Sequence, residues 1–460
     1  MSTMAPKLAH WEPDDAGFWR REGAQVARRN LVLSIPALVL SFAVWMVWSV
    51  LVVELPHVGF RFTPNQLFWL AALPGLAGGT LRFFFAFMVP MFGGRTWTVV
   101  STGALLVPVL GVGFAIQDPA TGYPVFLALA LLAGIGGGNF ASSMANISFF
   151  YPAERKGAAL GWNAGLGNLG VVLAQVVVPV VIAGGMFAAL GGPPQTWSDG
   201  TSTRDVWLQN AGFAWVPLIV VTALAAWFGM DDLAPVRASV ADQAIVFVRR
   251  QTWLLSWLYL GTFGSFIGFA AGFPLLAETE FAGVGASAYA FVGPLLGALA
   301  RPVGGILADR HGGARVALAC FVAMAAAVLL LLVAGSSAPL AYPAFLALFC
   351  VLFVASGAGN GAVFQMVPAA FVADRRRALA GQRDAAQRAL REGTLESAAA
   401  LGLASAIAAF GGFFIPKAYG TALALTGGTT AALWAFLVFY LSCVAVTWRY
   451  YARPGAMTPG

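Results

Sequence analysis

The sequence predicts an all-α integral membrane protein with twelve transmembrane helices. Of its 460 residues, 59% are hydrophobic and only 10% are charged, whereas about 25% are charged in an average soluble domain. A mean hydropathy of +0.80 over this length requires repeated membrane spans of about 20 apolar residues each. Apolar stretches of this length lie near residues 31–53, 66–90, 97–116, 123–150, 157–182, 211–229, 250–277, 285–308, 314–335, 341–370, 397–423 and 430–451.

The basic residues are distributed unevenly between the loops. If the N-terminus is cytoplasmic, that side carries 21 of the 26 Lys and Arg residues, and the outer loops carry only Arg61 and Arg204. Because cytoplasmic loops are enriched in Lys and Arg, we expect both termini in the cytoplasm. The high pI of 9.6 is therefore accounted for by basic residues that orient the chain in the lipid bilayer, and we expect no nucleic-acid partner.

The chain is predicted to fold as two bundles of six helices. The bundles cover residues 31–229 and 250–451, and a cytoplasmic loop, 230–249, joins them. Residues 1–30 form a cytoplasmic N-terminal segment and residues 452–460 a cytoplasmic tail.

The two halves repeat each other in sequence. Arg82 and Arg301 lie in the second span of their halves, and each follows a glycine by four residues. Asn139 and Asn360 accompany glycine-rich runs in spans 4 and 10. Two parallel, pseudo-symmetric six-helix halves are typical of the major facilitator fold.

One loop supports this assignment and its counterpart does not. The segment "GGILADRHGGAR" (304–315), between spans 8 and 9, resembles the cytoplasmic loop motif of that superfamily, G-x-L-A-D-R-x-G. The matching segment of the first half, "VPMFGGRTW" (89–97), lacks the aspartate.

The stretch "GWNAGLGNLG" (161–170) contains the pattern G-x-G-x-x-G, which is found in dinucleotide-binding folds. That fingerprint requires a preceding strand, and here it lies inside an apolar span, so we expect no nucleotide cofactor. Gly157, Gly161 and Gly165 recur every four residues, as do glycines 264, 268 and 272 in span 7. Such stripes let neighbouring helices approach closely in lipid. Asn168 lies on the same helix face and needs a polar partner.

Arg82 and Arg301 are permanent charges within predicted spans. A cation at the bilayer centre costs at least ~2.5–3.5 kcal/mol, so it normally has a function or a partner. Carboxylates are nearly absent from the spans, since Glu54 ends span 1 and Asp309 belongs to the loop motif. We interpret both arginines as an anion site, because a guanidinium matches a planar oxyanion. A structural ion pair or a snorkelling side chain is the alternative.

Aromatic residues accompany these charges. Phe140 follows the glycine run of span 4, and Tyr259 and Phe263 lie four residues apart in span 7. Aromatic walls suit a flat, weakly hydrated anion, although each ring could equally pack in the core or face lipid. The three cysteines show no C-x-x-C spacing, so we expect neither a metal site nor a disulfide framework.

Four long strings resemble the NarK-type nitrate/nitrite porters of the major facilitator superfamily. They are "GGGNFASSMANISFFYP" (136–152), "GWNAGLGNLGV" (161–171), "GTFGSFIGFAAGFPLL" (261–276) and "GGFFIPKAYG" (411–420). The resemblance implies that the anion is nitrate or nitrite and that Arg82 and Arg301 bind it. It also implies a sandwich of the anion between Phe140 and Phe263, with Tyr259 and Asn168 nearby.

The glycine-rich segments of spans 5 and 11 are similar to the nitrate signatures of this family. The resemblance implies that these glycines let helices slide or bend during transport: Gly161, Gly165, Gly167, Gly170, Gly411 and Gly412. Two positions depart from the family pattern, Phe410 before the second signature and Glu54 at the end of span 1. A bacterial inner membrane is implied as the location, in nitrate assimilation or anaerobic respiration.

The residues favour exchange over proton coupling. Symport needs a titratable group near the substrate, and the candidates are Glu54 and His57 at the outer edge and Tyr259, although tyrosine is a poor proton carrier. Two arginines at one site repel each other when it is empty, so the carrier should reorient only with an anion bound. We expect nitrate/nitrite antiport; nitrate–proton symport and a passive anion channel stay open as alternatives.

We expect no enzymatic activity, because the spans lack paired histidines for haem or cysteines for a cluster. A receptor without transport would need an output domain, and the long cytoplasmic segment around 374–396 is too short for one. We expect that segment to be a solvated loop or an interfacial helix, and the protein to be a monomer without an obligate protein partner.

Overall fold

The computed structural model describes residue 8 and residues 10–187, 191–233, 245–337 and 340–453. Within these residues, twelve helical segments are long and apolar enough to cross a membrane, which confirms the predicted fold class. We number them α1 Ala16–Val58, α2 Pro64–Phe92, α3 Gly94–Ala115, α4 Tyr123–Phe150, α5 Glu154–Ile182, α6 Asn210–Gly229, α7 Arg250–Glu280, α8 Ala286–His311, α9 Gly313–Gly335, α10 Tyr342–Ala378, α11 Ala385–Thr426 and α12 Thr430–Ala452.

The helices belong to two compact units. The first comprises Met1–Ala238 and Phe273–Ala288, and the second comprises Ser239–Gly272 and Tyr289–Gly460. The predicted bundles differ from these units at Phe273–Ala288, which the sequence analysis assigned to the second bundle. Pro274 lies at this boundary inside α7, where it removes a backbone donor from the helix. Residues 234–244 and 454–460, in the predicted inter-bundle loop and tail, lie outside the described residues.

Several spans are interrupted by a single residue or turn. In α5, Asn168 separates Ala153–Gly167 from Leu169–Ile182. In α11, Phe410 separates Ala385–Ala409 from Gly411–Thr426. In α7, a π-helical turn at Leu260–Gly264 joins two α-helices, Arg250–Tyr259 and Ser265–Glu280. Further breaks divide α1 into Ala24–Met46 and Trp48–Glu54, α3 into Gly94–Gly103 and Leu106–Ala115, and α6 into Asn210–Phe213 and Trp215–Gly229.

In each unit, glycines allow the second and fourth helices of the sequence repeat to pack closely together. In the first unit, a methyl group on Gly137 of α4 would lie 2.9 Å from Gly78 Cα of α2. In the second unit, a methyl group on Gly357 of α10 would collide with the backbone of Gly297 of α8. Gly78 and Gly297 are the glycines four residues before Arg82 and Arg301, so each arginine lies one turn beyond a close helix contact.

The glycine stripe predicted in span 5 makes no close contact within the first unit. A methyl group on Gly157, Gly161 or Gly165 would meet no other described atom within 4 Å. The close contacts with α1 lie instead at Gly167, against Leu38, and at Gly170, against the Val39 carbonyl. Gly167 follows Gly165 by two residues and therefore lies on nearly the opposite face of the helix.

The second predicted stripe is confirmed within the second unit. Gly264 and Gly268 of α7 lie against the backbone of Gly411 in α11, and Gly272 lies against Pro416. A side chain on Gly411 would collide with Gly264, so α7 and α11 touch through their backbones. The second signature segment therefore begins at a contact that only glycine permits.

The link between α5 and α6 contains a β-hairpin that the sequence analysis did not predict. Strand β1, Gln195–Ser198, pairs antiparallel with β2, Thr203–Val206, and Trp197 lies opposite Arg204. The turn is closed by Asp199, whose carboxylate accepts backbone N–H groups from Thr201 and Ser202. These donors stabilise the charged carboxylate and hold the pKa of Asp199 well below its usual range.

The segment 374–396 is mostly helical and mostly exposed, with a few buried residues, and the expected interfacial helix stays a prediction. Helix α10 continues to Ala378, and α11 begins at Ala385 after a turn. Glu396 is 8% exposed and accepts hydrogen bonds from Arg249, at 3.1 Å, and from Arg375. These ion pairs and the contact of Gly393 with Val372 hold the start of α11 against the end of α10.

The missing aspartate of the first-half loop motif is supplied by Asp232, just after α6. The Arg95 backbone N–H donates to Asp232 Oδ1 at 2.8 Å, and the Thr96 hydroxyl donates to Oδ2 at 3.1 Å. Arg95 Nη2 lies 3.5 Å from Oδ2, and both side chains of this ion pair are almost completely buried. A side chain on Gly93 would reach within 2.5 Å of the same carboxylate, so this glycine leaves room for it.

Candidate functional site

Arg82 is held in the core of the first unit. Its side chain belongs to α2 and the residue is 1% exposed. Its Nε donates a hydrogen bond to the Gly137 carbonyl of α4 at 2.8 Å. The close approach of α2 and α4 brings this carbonyl within reach, so the local glycine packing orients the guanidinium.

Two aromatic rings flank the Arg82 guanidinium. Its Cζ lies 4.5 Å from the centroid of Phe140 and 5.4 Å from the centroid of Trp45. Both distances are within the range of a cation–π interaction, which is strongest where water is excluded. The structure thus brings together two predicted site residues, Arg82 and Phe140. The structure also places Trp45 beside Arg82. The sequence does not predict this residue, because no motif in span 1 distinguishes it from its apolar neighbours.

Arg301 occupies the matching position in the second unit with fewer restraints. It is half-buried in α8, and its Cζ lies 5.9 Å from the centroid of Phe364. Its Nη1 atom is buried and has no hydrogen-bond partner among the described residues. A buried guanidinium donor without an acceptor is unfavourable, so this atom is available to an anion. Phe364 is likewise not among the site residues predicted from the sequence.

Tyr259 and Phe263 form a stacked pair in α7. Their ring centroids are 5.8 Å apart with an angle of 25° between the planes, and each residue is 1% exposed. The π-helical turn at Leu260–Gly264 begins directly after Tyr259. Such turns are rare in α-helices and frequent at functional sites. The structure therefore brings these two predicted residues together within the second unit.

Several buried asparagines, Asn168 and Asn360 among them, have an amide atom that is not satisfied within the described part of the chain. Asn168 Oδ1 has no hydrogen-bond partner there, and neither does either side-chain amide atom of Asn360. Asn139, the repeat counterpart of Asn360, instead donates to Ser41 Oγ at 2.9 Å. Asn168 stays a predicted binding residue, and the unsatisfied Nδ2 donor of Asn360 makes that residue a further candidate.

Comparison with known proteins identifies the family. The model of the Major Facilitator Superfamily matches residues 37–383. The nitrate/nitrite transporter NarU of Salmonella typhimurium is 50% identical over 452 residues, which cover 97% of this chain and 96% of the relative. The chain belongs to the NarK-type nitrate/nitrite porters of this superfamily.

Further relatives cover the same length. NarU of Escherichia coli is 48% identical over 97% of this chain and 96% of its own. The probable nitrate/nitrite antiporter NarK2 of Thermus thermophilus is 39% identical over 98% of both chains. A crystal structure of a D-xylose–proton symporter aligns with a TM-score of 0.59 and 16% identity, over 92% of this chain and 98% of that one. This likeness concerns the fold alone.

Glu54 and His57 of this NarK-type porter pack against the hairpin. The Trp197 indole donates to Glu54 Oε2 at 2.9 Å, and the His57 ring stacks on Trp197 with centroids 4.7 Å apart. The Arg204 guanidinium lies 4.2 Å from the centroid of the same indole. The two titratable groups suggested for proton coupling thus belong to one aromatic and ionic cluster.

Proposed function

We propose that this NarK-type porter exchanges nitrate and nitrite by alternating access, with nitrate moving in and nitrite out. The names of its relatives support this substrate pair, since the NarU proteins are nitrate/nitrite transporters and NarK2 is a probable nitrate/nitrite antiporter. We further propose a bacterial inner membrane as the location, both termini in the cytoplasm and a monomeric state.

The observation that carries the proposal is the placement of Arg82 and Arg301. Each lies at the same position of its repeat, one turn beyond a glycine contact, and each has an aromatic ring within 6 Å. A guanidinium remains charged at any physiological pH and offers coplanar N–H donors. Nitrate and nitrite are planar and negative, so paired charge-assisted hydrogen bonds fit their geometry.

We assign anion binding to Arg82 and Arg301, with Phe140, Phe263, Tyr259 and Asn168 as further binding residues. The buried Nη1 of Arg301 supports this set, because it is a hydrogen-bond donor that the described residues leave unsatisfied. The stacked rings of Tyr259 and Phe263 also support this set, because they form a flat apolar surface.

Antiport follows from the cost of burying these charges. Reorienting the carrier encloses its binding residues away from water, and an enclosed arginine without a counter-ion is strongly unfavourable. A bound anion removes most of that cost, so reorientation should occur only with nitrate or nitrite bound. The engagement of Glu54 with Trp197 supports a structural role for this carboxylate instead of proton transfer.

The test is uptake of labelled nitrate into proteoliposomes. The vesicles contain nitrite, nitrate or an impermeant anion, with and without an inward proton gradient. Antiport predicts uptake only with internal nitrite or nitrate, and no effect of the gradient. Uptake into vesicles without either anion, driven by the proton gradient, would contradict antiport and indicate symport. Uptake that follows the membrane potential alone would indicate a channel.

The binding residues are tested with Arg82→Lys and Arg301→Lys. Lysine keeps the charge but loses the planar fork, so each variant should bind nitrate at least tenfold more weakly, since a charge-assisted hydrogen bond is worth about 1.5–3 kcal/mol. Nitrate-dependent stabilisation against heat measures the affinity. The matched control is Arg95→Lys, a buried arginine paired with Asp232. It should lower the Tm and keep the nitrate-dependent shift. Wild-type affinity in both site variants would disprove the assignment.

A further inference from the structure

We infer that Trp45 is a positioning residue that holds the Arg82 guanidinium in its anion-binding orientation. The inference rests on the proposed function, because it assumes that Arg82 binds the transported anion. Trp45 acts through the arginine and through the backbone that the arginine contacts, without touching the anion itself.

The indole of Trp45 is fixed in place on several sides. Trp45 is 1% exposed, and its Nε1 donates a hydrogen bond to the Pro74 carbonyl of α2 at 2.7 Å. The indole also fills the space beside two glycines. A methyl group on Gly78 would lie 3.0 Å from its Nε1, and one on Gly137 would lie 2.7 Å from its Cε2. The ring therefore occupies the gap that these glycines leave between α2 and α4.

The same contact controls Arg82 in two ways. Gly137, which packs against the indole, supplies the carbonyl that accepts the hydrogen bond from Arg82 Nε. The indole ring itself lies 5.4 Å from the guanidinium carbon, where it stabilises the charge through a cation–π interaction. Trp45 thus sets both the position of the accepting carbonyl and the apolar surface beside the charge.

The second unit lacks this arrangement at the matching glycine. Gly297 lies next to Phe266, with 3.0 Å between its would-be methyl group and the ring. Phenylalanine has no ring N–H, so it cannot be anchored to a carbonyl as Trp45 is. Arg301, four residues after Gly297, is half-buried and keeps an unsatisfied Nη1. The two arginines are therefore oriented differently: Arg82 lies against an indole that is anchored to a carbonyl, and Arg301 has no such indole beside its glycine.

The test compares Trp45→Phe and Trp45→Leu with a matched control, Trp48→Phe. Trp48 lies three residues further along α1 and is equally buried, but its ring packs edge-on against Phe126 at 6.1 Å. The nitrate dissociation constant is measured from nitrate-dependent heat stabilisation, and the KM and maximal rate of exchange are measured in proteoliposomes. The Tm without anion reports any general loss of stability.

We expect the dissociation constant and the KM to rise about tenfold in Trp45→Leu, the range of a desolvated cation–π contact. Trp45→Phe keeps a ring but loses the bond to Pro74, so its rise should be smaller, about threefold. Trp48→Phe should keep the wild-type affinity even if its Tm falls by the same amount as that of Trp45→Phe.

The outcomes separate the inference from the function on which it rests. Wild-type affinity in both Trp45 variants, with Arg82→Lys impaired, would overturn the positioning role and leave the anion site in place. An equal loss of affinity in Trp48→Phe would also overturn it, because the effect would then be general. Wild-type affinity in Arg82→Lys would instead refute the anion site itself. If Trp45→Leu does not fold, Trp45→Phe alone decides between these outcomes.

Discussion

Replacing Asp232 by alanine should destabilise the first unit far more than the same change at its neighbour, Asp231. Asp232 accepts hydrogen bonds from the Arg95 backbone and the Thr96 hydroxyl and pairs with the Arg95 guanidinium, which is 2% exposed. Removing one member of a buried ion pair costs about 3–5 kcal/mol, because the remaining charge loses its counter-ion in a place that water cannot reach.

Asp231→Ala is the matched control. Asp231 receives two short hydrogen bonds from Arg29, at 2.6 and 2.7 Å, so its contacts are at least as close as those of Asp232. The Arg29 side chain is 47% exposed, however. Water can therefore replace the lost carboxylate, and the cost should be about 1–2 kcal/mol after allowance for solvent screening.

The assay is reversible unfolding of the purified protein by titration with a denaturing detergent, followed by tryptophan fluorescence. Asp232→Ala should lose at least about 2 kcal/mol more unfolding free energy than Asp231→Ala, with Asp232→Asn in between, since it keeps one acceptor oxygen. An Asp232→Ala loss equal to or smaller than that of Asp231→Ala would refute the reasoning, because the fully buried pair would then contribute no more than the pair whose arginine is half exposed.

Two further predictions concern the first signature segment and the outer cluster. Gly170→Ala should cost about 1–3 kcal/mol, because the methyl group would collide with Val39 and Phe42 of α1. Gly161→Ala should be neutral or stabilising by up to about 1 kcal/mol, since its position is open and alanine favours a helix. Unfolding titrations measure the stability of both variants. Equal effects of the two changes would contradict the packing described for α5. Glu54→Gln keeps an acceptor for the Trp197 indole. Such a conservative change should alter the stability of the protein by only a few tenths of a kcal/mol, so the rate of nitrate/nitrite exchange should stay within about twofold of the wild-type rate. A selective loss of gradient-driven uptake in this variant would revive proton coupling.

The confirmed predictions depend on residues that lie close together in the sequence. Twelve spans follow from hydropathy, because about 20 apolar residues in a row have one stable arrangement in lipid, a helix with its backbone hydrogen bonds closed. The repeat also made Arg82 and Arg301 visible, since a permanent charge inside an apolar stretch stands out without any knowledge of its neighbours. The pairing of Tyr259 with Phe263 could be expected from their four-residue spacing on one helix.

The errors and omissions concern contacts between residues that are distant in sequence. Nothing near Gly93 indicates that Asp232 supplies the carboxylate of the first loop, because 139 positions separate them. The stripe of Gly157, Gly161 and Gly165 follows from spacing alone, whereas the contact of α5 with α1 lies on another face, at Gly167 and Gly170. The burial of Glu396 depends on Arg249 and Arg375 arriving from two other elements.

The sequence by itself therefore determined the membrane fold and the repeat, and it indicated the charged residues of the proposed site, because hydropathy and charge are properties of each residue in turn. Only the tertiary structure decided how Arg82 is oriented. Its hydrogen bond to Gly137 and its place beside Trp45 depend on how closely α1, α2 and α4 approach. That distance is set by which glycines face each other across the helices, and such a match is decided in three dimensions.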